Sequence, residues 1–170
     1  AVMTARVATG RAIEPRLIKS VGGKPVEVPE PQSLGLDPAF LRAVQIGMYD
    51  VMNSERGTAK SSRIADEAML MAGKTGTSQV RNISAAERAR GVTSNEDLPW
   101  NRRDHALFVG YAGDLVVAVW VGNDDNTPLG GITGGSVPAR IWRDFMVQAL
   151  GKAEGILEGD GHVTGEGRRK

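Results

Sequence analysis

The residues best suited to chemistry lie close together in the segment 72–78, which has the sequence Ala-Gly-Lys-Thr-Gly-Thr-Ser. Lys74 offers an ammonium group, and Thr75 and Thr77 offer hydroxyls. Gly76 has no side chain, so a ligand backbone can approach the strand closely. Strand alternation places Lys74 and Gly76 on one face and the two threonines on the other. All four reach one ligand only at the strand's edge, which predicts a substrate that lies along an exposed edge.

The elements that must position this segment follow from apolar spacing and turn signals. Asp37 before Pro38 is typical of a helix N-cap. The continuous apolar run 115–121 predicts a strand covered on both faces, and Trp120 and Trp142 are expected in the core. The sequence predicts, in chain order, a helix end at 2–8, a hairpin over 16–28, a helix over 37–53, a strand over 69–80, a hairpin over 105–121 and a helix over 137–150. Antiparallel strands between helices predict an α+β fold, in which helices cover an antiparallel sheet.

The composition excludes several classes of function. The 170 residues carry a formal net charge of +1, which argues against a broad basic face for nucleic acid. No cysteine is present, and this excludes disulfides, thiolate zinc sites and a cysteine nucleophile. The run 115–121 is far shorter than the ~20 residues that span a bilayer. The first residues also lack the pattern of a signal peptide.

Two segments differ from an ordinary compact domain. The connection 81–104 is 24 residues long, more than such domains usually carry without a functional reason. Its arginines are interpreted as solvated, with contact to an anionic glycan or peptide stem, or to the missing half of the domain, as the alternative; they are Arg81, Arg88, Arg90, Arg102 and Arg103. The segment 151–170 holds six glycines and eight charged residues. This predicts a disordered tail after a domain portion at 1–150.

Other candidate motifs are better explained by structural roles. His105 beside Asp104 has no placed serine to complete a catalytic set, so we expect a structural histidine. The run 123–126 lacks the ligand spacing of a calcium loop and is interpreted as a turn at a strand exit. The segment 130–135 is rich in glycine but lacks the lysine ending of a phosphate loop, which argues against nucleotide binding.

The triplet Lys74-Thr75-Gly76 is the third signature of the serine penicillin-recognising enzymes, which include penicillin-binding proteins and serine β-lactamases. The segments similar to the elongation-type class B penicillin-binding proteins are 56–59, 71–80, 83–88 and 103–108, with Trp100 between the last two. The segments similar to the bifunctional class A proteins are 108–111, 119–125 and 138–146. Over about residues 1–149 the chain therefore resembles the C-terminal part of a penicillin-binding protein transpeptidase domain, with mixed class A and class B character.

The resemblance implies part of the serine β-lactamase and penicillin-binding transpeptidase fold. It also implies a serine D,D-transpeptidase that cross-links peptidoglycan stem peptides through an acyl-serine intermediate and binds penicillin. Lys74 and Thr77 are then catalytic, because the Lys74 ammonium faces the substrate's terminal carboxylate and tunes a neighbouring hydroxyl, while the Thr77 backbone N–H forms half of the oxyanion hole. Thr75, Gly76 and Thr77 bind the stem peptide or a β-lactam. No metal or organic cofactor is implied, and the implied location is the periplasmic side of the bacterial inner membrane.

Two of the three family signatures are absent from the sequence. None of the nine serines is followed by lysine three positions later or by asparagine two positions later. The chain thus carries neither the nucleophile motif Ser-x-x-Lys nor the motif Ser-x-Asn, which in the family lie upstream of Lys-Thr-Gly. Since the chain opens at Ala1 within a helical pattern, we expect a C-terminal portion that is inactive alone and needs the upstream portion as its partner. The alternative is a non-catalytic fragment of the same fold that acts as a binding or scaffold module.

Overall fold

The computed structural model describes residues 1–65, 70–78, 84–92, 105–125 and 127–159, with side chains to Gly151 in the last range. Several positions named above lie outside the described residues: Met69 and residues 79–80 at the strand ends, Arg81, Trp100, Arg102, Arg103 and Asp104 in the long connection, Asn126, and residues 160–170.

Helices and antiparallel strands alternate along the described chain. The helices are α1 (Val2–Thr9), α2 (Pro38–Asn53), α3 (Ala85–Ala89) and α4 (Val137–Gly159), and a short 3-10 turn lies at Lys60–Ser62. The strands are β1 (Ser20–Val21) and β2 (Lys24–Pro25), which form a small hairpin, and β3 (Met71–Ser78), β4 (His105–Ala112) and β5 (Leu115–Gly122), which form the main sheet in the order β3-β4-β5. Both pairings in the main sheet are antiparallel, which confirms the predicted α+β fold.

The helix α2 begins where its capping residues indicate. The Asp37 carboxylate accepts a hydrogen bond from the Ala39 N–H at 2.8 Å. Pro38 occupies the first turn, where its missing N–H costs no intrahelical bond. At the other end, the Asn53 side-chain amide donates to the Met71 carbonyl at 3.0 Å. The end of α2 is thereby tied to the beginning of β3.

The helix α4 covers one face of the main sheet. Trp142 is fully buried, as the sequence predicted, and its ring meets Phe108 edge-on with the centroids 5.3 Å apart. The indole N–H donates to the Gly110 carbonyl at 3.3 Å, which joins α4 to β4. A Cβ on Gly73 would collide with the Phe108 ring, so this packing requires a glycine in β3. The Phe108 face of the sheet is therefore the core face.

Among the described residues, β5 is not covered on both faces. It is the outer strand of the sheet, and Trp120 is 51% exposed rather than packed in the core. Both predictions were wrong because an apolar run does not show which side of a strand another element covers. Trp120 pairs across the sheet with Leu107, on the face opposite Phe108, and donates its indole N–H to His105 Nδ1 at 3.2 Å.

Two helical segments differ from the sequence-based boundaries. α4 continues beyond Leu150 to Gly159, so residues 151–159, which were predicted to belong to a disordered tail, are helical. Each glycine destabilises a helix by only ~1 kcal/mol relative to alanine, so the glycines of this segment do not end the helix. In the long connection, Ser84 and Glu87 form a reciprocal capping box at the start of α3. None of the described helices is long and apolar enough to span a membrane.

Candidate functional site

β3 is an edge strand of the described sheet. It pairs with β4 along its whole length, with Gly76 opposite Leu107 and Thr77 opposite Ala106. No strand among the described residues pairs with its other edge. Among the described residues, the segment singled out in the sequence thus has a strand on one side only, and we call its other side the open edge.

Side-chain contacts identify the backbone groups that point to this open edge. The Met71 carbonyl accepts from the Asn53 side chain, and the Thr75 carbonyl accepts from Lys74 Nζ at 2.7 Å. In an antiparallel pair, the N–H and C=O of one residue point to the same side, and alternate residues repeat that direction. The N–H of Thr77 therefore points away from β4, along the same edge as the Thr75 carbonyl. An N–H and a C=O separated in this way can bind an extended peptide as an added strand.

Lys74 is exposed, and its ammonium bends back to the same open edge. Its donation to the Thr75 carbonyl brings the positive charge next to the backbone groups of that edge. No ion pair joins Lys74 to a described carboxylate. An ammonium that donates to a carbonyl keeps two further N–H donors, so this group can attract and bind a ligand carboxylate.

The two threonine side chains project from the face of β3 that also carries Phe108 in the neighbouring strand. The hydroxyls of Thr75 and Thr58 lie 3.0 Å apart, within hydrogen-bond distance. The Thr77 hydroxyl accepts a hydrogen bond from the Gly134 N–H at 3.1 Å. The contacts of Thr58 and Gly134 with β3 were not predicted from the sequence, because the partners lie 17 and 57 residues apart and no local pattern marks the contact.

The glycine-rich loop before α4 packs directly on β3. A Cβ on Gly134 would lie 2.5 Å from the Gly76 carbonyl oxygen and 2.7 Å from the Gly76 nitrogen. A Cβ on Gly135 would run into the Thr58 carbonyl oxygen. Side chains at these two positions would separate the loop from the strand. The glycines that could suggest a phosphate loop thus support the Lys-Thr-Gly strand.

Gly76 differs from these glycines because the described chain does not require it. A Cβ there would make only ordinary contacts with Leu107, the nearest at 3.5 Å from its Cβ atom. By contrast, a Cβ on Gly73 would collide with Phe108. The absence of a side chain at Gly76 is therefore not explained by internal packing. It is explained if a ligand lies against this part of β3.

The remaining candidate residues have structural partners. His105 Nδ1 accepts from the Trp120 indole, and the two rings lie 5.6 Å apart. Asp125 accepts two hydrogen bonds from Thr127, one from the N–H at 3.1 Å and one from the hydroxyl at 2.9 Å, as expected of a turn at a strand exit. Both bonds lower the pKa of the Asp125 carboxyl, and the bond from the Thr127 N–H has the larger effect. In the described parts of the chain, no three His, Asp or Glu side chains are grouped to hold a metal ion.

A cavity of about 600 Å³ lies beside the beginning of β3, between α1, α2 and the sheet. Tyr49 and Tyr111 line it, and Arg42 lies at the same cavity. Partial burial raises the pKa of the Tyr111 phenol, while the Arg42 charge acts in the opposite direction. The residues of β3 that line this cavity come before Lys74, so the cavity is separate from the open edge at Thr77.

Comparison with known families identifies a match over most of the chain. A model of the penicillin binding protein transpeptidase domain matches residues 1–147, which include every described strand and the first 11 of the 23 residues of α4. No curated protein matches the chain.

Proposed function

Because the chain belongs to the penicillin-binding protein transpeptidase family, we propose that it is the portion of a serine D,D-transpeptidase that carries the Lys-Thr-Gly motif. The observation that carries this proposal is the open edge of β3. That edge combines the Thr77 N–H, the Thr75 carbonyl and the Lys74 ammonium, next to a glycine that internal packing does not need.

The proposed substrate is the stem peptide of peptidoglycan, bound as an extended strand along β3. Lys74 binds its terminal carboxylate. The nucleophilic serine attacks the carbonyl carbon of the terminal peptide bond, and the carbonyl oxygen becomes an oxyanion that accepts a hydrogen bond from the Thr77 N–H. The terminal amino acid leaves, and an amine of a second stem peptide then takes the acyl group from the serine. Loss of one such oxyanion donor typically costs ~3–4 kcal/mol of transition-state stabilisation.

A β-lactam reacts at the same site in the first half of this sequence. Its carboxylate binds at Lys74, the serine opens the lactam ring, and the acyl-serine persists because no amine displaces it. Proton transfer to and from the serine is assisted by the lysine of the Ser-x-x-Lys motif. Lys74 tunes a second hydroxyl, close to its ammonium, that relays protons.

The nucleophile must come from a polypeptide portion outside this sequence, because neither Ser-x-x-Lys nor Ser-x-Asn occurs in it. We therefore expect the chain alone to be inactive, and to complete the site only together with a portion that carries both motifs. Peptidoglycan lies outside the cytoplasmic membrane, so the proposed location is its periplasmic side.

A fluorescent penicillin tests this proposal. The chain is incubated with the probe alone, and then with a polypeptide that carries the upstream part of such a transpeptidase domain, including Ser-x-x-Lys and Ser-x-Asn. The proposal predicts covalent label on the upstream polypeptide, and only in the mixture. Co-elution on gel filtration shows that the two have assembled. An assembled pair that takes up no label would favour a scaffold module, and label on the isolated chain would contradict the assignment of the nucleophile.

A further inference from the structure

Thr58 is held firmly by the turn that follows α2. The Gly57 N–H donates to the Ser54 carbonyl at 3.0 Å, and the Ala59 N–H donates to the Val51 carbonyl at 3.0 Å. Ala59 is fully buried. A Cβ on Gly57 would lie 2.5 Å from the Val51 carbonyl oxygen, so this turn can pack against α2 only with glycine. The backbone on both sides of Thr58 is therefore fixed, although its own side chain is exposed.

A third element, the loop before α4, also packs against Thr58. The backbone at Gly135 passes so near the Thr58 carbonyl oxygen that a Cβ would overlap it, and the same Cβ would lie 3.5 Å from the Thr75 Cγ2 methyl. The loop before α4 thus packs against both Thr58 and Thr75. Their hydroxyls are 3.0 Å apart.

The direction of this hydrogen bond decides what Thr75 can do for a ligand. A threonine hydroxyl has one proton to donate and two lone pairs to accept with. When Thr58 donates to Thr75, the proton of Thr75 stays free for an outside acceptor. A carboxylate bound at the Lys74 ammonium accepts only, so its presence favours this direction along the chain of hydroxyls.

We propose that Thr58 is a positioning residue, whose hydroxyl donates to Thr75 and so directs the Thr75 proton to the carboxylate of the bound ligand. This inference rests on the proposed function, and it assigns to the turn after α2 a part in recognising the ligand's carboxylate. Thr58 itself does not contact the reacting atoms. Its effect should appear as discrimination between ligands that have a free carboxylate and ligands that lack one.

The test uses the assembled pair of polypeptides and two probes, a β-lactam with a free carboxylate and the methyl ester of the same compound. The dissociation constant and the acylation rate are measured separately for each probe. Thr58→Val removes the hydroxyl and keeps the shape, and Thr58→Ser restores the hydroxyl. Thr9→Val is the matched control, because Thr9 is also exposed and donates to a backbone carbonyl, that of Ala5, at 2.8 Å in α1.

We expect Thr58→Val to lower the acylation efficiency of the carboxylate probe by about three- to tenfold, the effect of one hydrogen bond, mainly through weaker binding. The ester should react as with the unmodified pair, so the carboxylate-to-ester ratio falls by the same factor. Thr58→Ser should recover most of the ratio, and Thr9→Val should leave it unchanged. Because both probes are measured on one preparation, partial unfolding cancels in the ratio.

The two proposals fail in different ways. If the unmodified pair is acylated and Thr58→Val keeps the original ratio, or lowers both probes equally, then Thr58 has no role in carboxylate recognition while the proposed function stands. If the assembled, unmodified pair reacts with neither probe, the proposed function falls, and the role of Thr58 falls with it.

Discussion

The Thr77 hydroxyl accepts a hydrogen bond from the Gly134 N–H at 3.1 Å, across 57 residues of sequence. This bond joins the strand that carries the candidate site to the loop that precedes α4. Since α4 is anchored in the core through Trp142, this bond ties β3 to α4 as well as to β4. The side chain of Thr77 therefore has a structural partner, while its backbone N–H points to the edge of β3 that pairs with no described strand.

Replacing Gly134 tests whether this loop supports the strand. Gly134→Ala should lower the free energy of unfolding by about 1–3 kcal/mol, because the new methyl group meets the backbone of Gly76 and cannot be accommodated without a shift. Acylation of the assembled pair should also fall. Thermal unfolding and the rate of penicillin labelling measure the two effects.

Gly47→Ala is the matched control for that experiment. Gly47 lies in α2 with no atom near its missing Cβ, so alanine should stabilise the helix by about 0.5–1 kcal/mol. A Gly134→Ala variant as stable and as reactive as Gly47→Ala would show that the contact between the loop and β3 has no importance.

Alanine substitutions at Gly76 and Gly73 should distinguish an effect on acylation from an effect on folding. Gly76→Ala adds a methyl group with ordinary contacts only, so the thermal unfolding curve should stay close to that of the unmodified chain. Its methyl should displace a ligand lying on β3, and a shift of about 1 Å lowers the acylation rate by about 10²-fold.

Gly73→Ala should behave in the opposite manner, with a loss of about 1–3 kcal/mol of stability through its collision with the buried Phe108 ring. Both variants are measured by thermal unfolding and by penicillin labelling of the assembled pair. A Gly76→Ala variant that is labelled at the original rate would contradict the ligand's position on the strand.

Substitution of Ser62 and of Ser136 by alanine should change the free energy of unfolding in opposite directions. The Ser62 hydroxyl is fully buried and has no hydrogen-bond partner among the described residues, so Ser62→Ala should stabilise the chain by about 1 kcal/mol. The Ser136 hydroxyl accepts from the Thr133 N–H at 2.9 Å and donates to the Thr133 carbonyl at 2.8 Å. Ser136→Ala should therefore destabilise the chain by a similar amount. Denaturant unfolding measures both, and a destabilised Ser62→Ala variant would indicate that this hydroxyl has a partner.

The turn at Asp125 should lose its order in acid. Hydrogen bonds from the Thr127 N–H and hydroxyl lower the pKa of the Asp125 carboxyl in the folded chain below its ordinary value of 3.8. Because the folded pKa is the lower one, the stabilising contribution is complete above pH 3.8 and is lost as the pH falls through the folded pKa. Thr127→Val removes the hydroxyl donor and keeps the N–H, so the pKa of Asp125 should return part of the way. Carbon NMR titration of the carboxyl gives both values, and an unchanged pKa in Thr127→Val would dismiss the hydroxyl's contribution.

The sequence predicted those parts of the fold that depend on local signals. The N-cap at Asp37, the hairpin between β4 and β5 and the strand around Lys74 all follow from short patterns of residue types. Trp120 was misplaced because the apolar run does not show which face of the strand another element covers, and α4 packs on the Phe108 face, opposite Trp120. A run of apolar residues does not show which element packs against each face of the strand.

For the candidate site, the sequence identified the motif but not its supports. Thr58 and Gly134 contact β3 only because the turn after α2 and the loop before α4 meet there in the folded chain. The glycines at 134 and 135 stand out in the sequence, but their reason is the close approach of two backbones. Such a reason is visible only once both backbones are placed.

The central claim is that the Thr77 N–H, at the unpaired edge of β3, stabilises the oxyanion. The most direct measurement compares Thr77→Pro with Thr77→Val in the assembled pair, by the rate of acylation with a β-lactam. Both variants lose the hydroxyl that binds Gly134, and only proline loses the N–H; since this N–H does not pair with β4, proline removes no bond of the sheet. Thermal unfolding of both variants checks that the strand survives. We predict that Thr77→Pro acylates about 10²- to 10³-fold more slowly than Thr77→Val; equal rates in the two variants would contradict the claim.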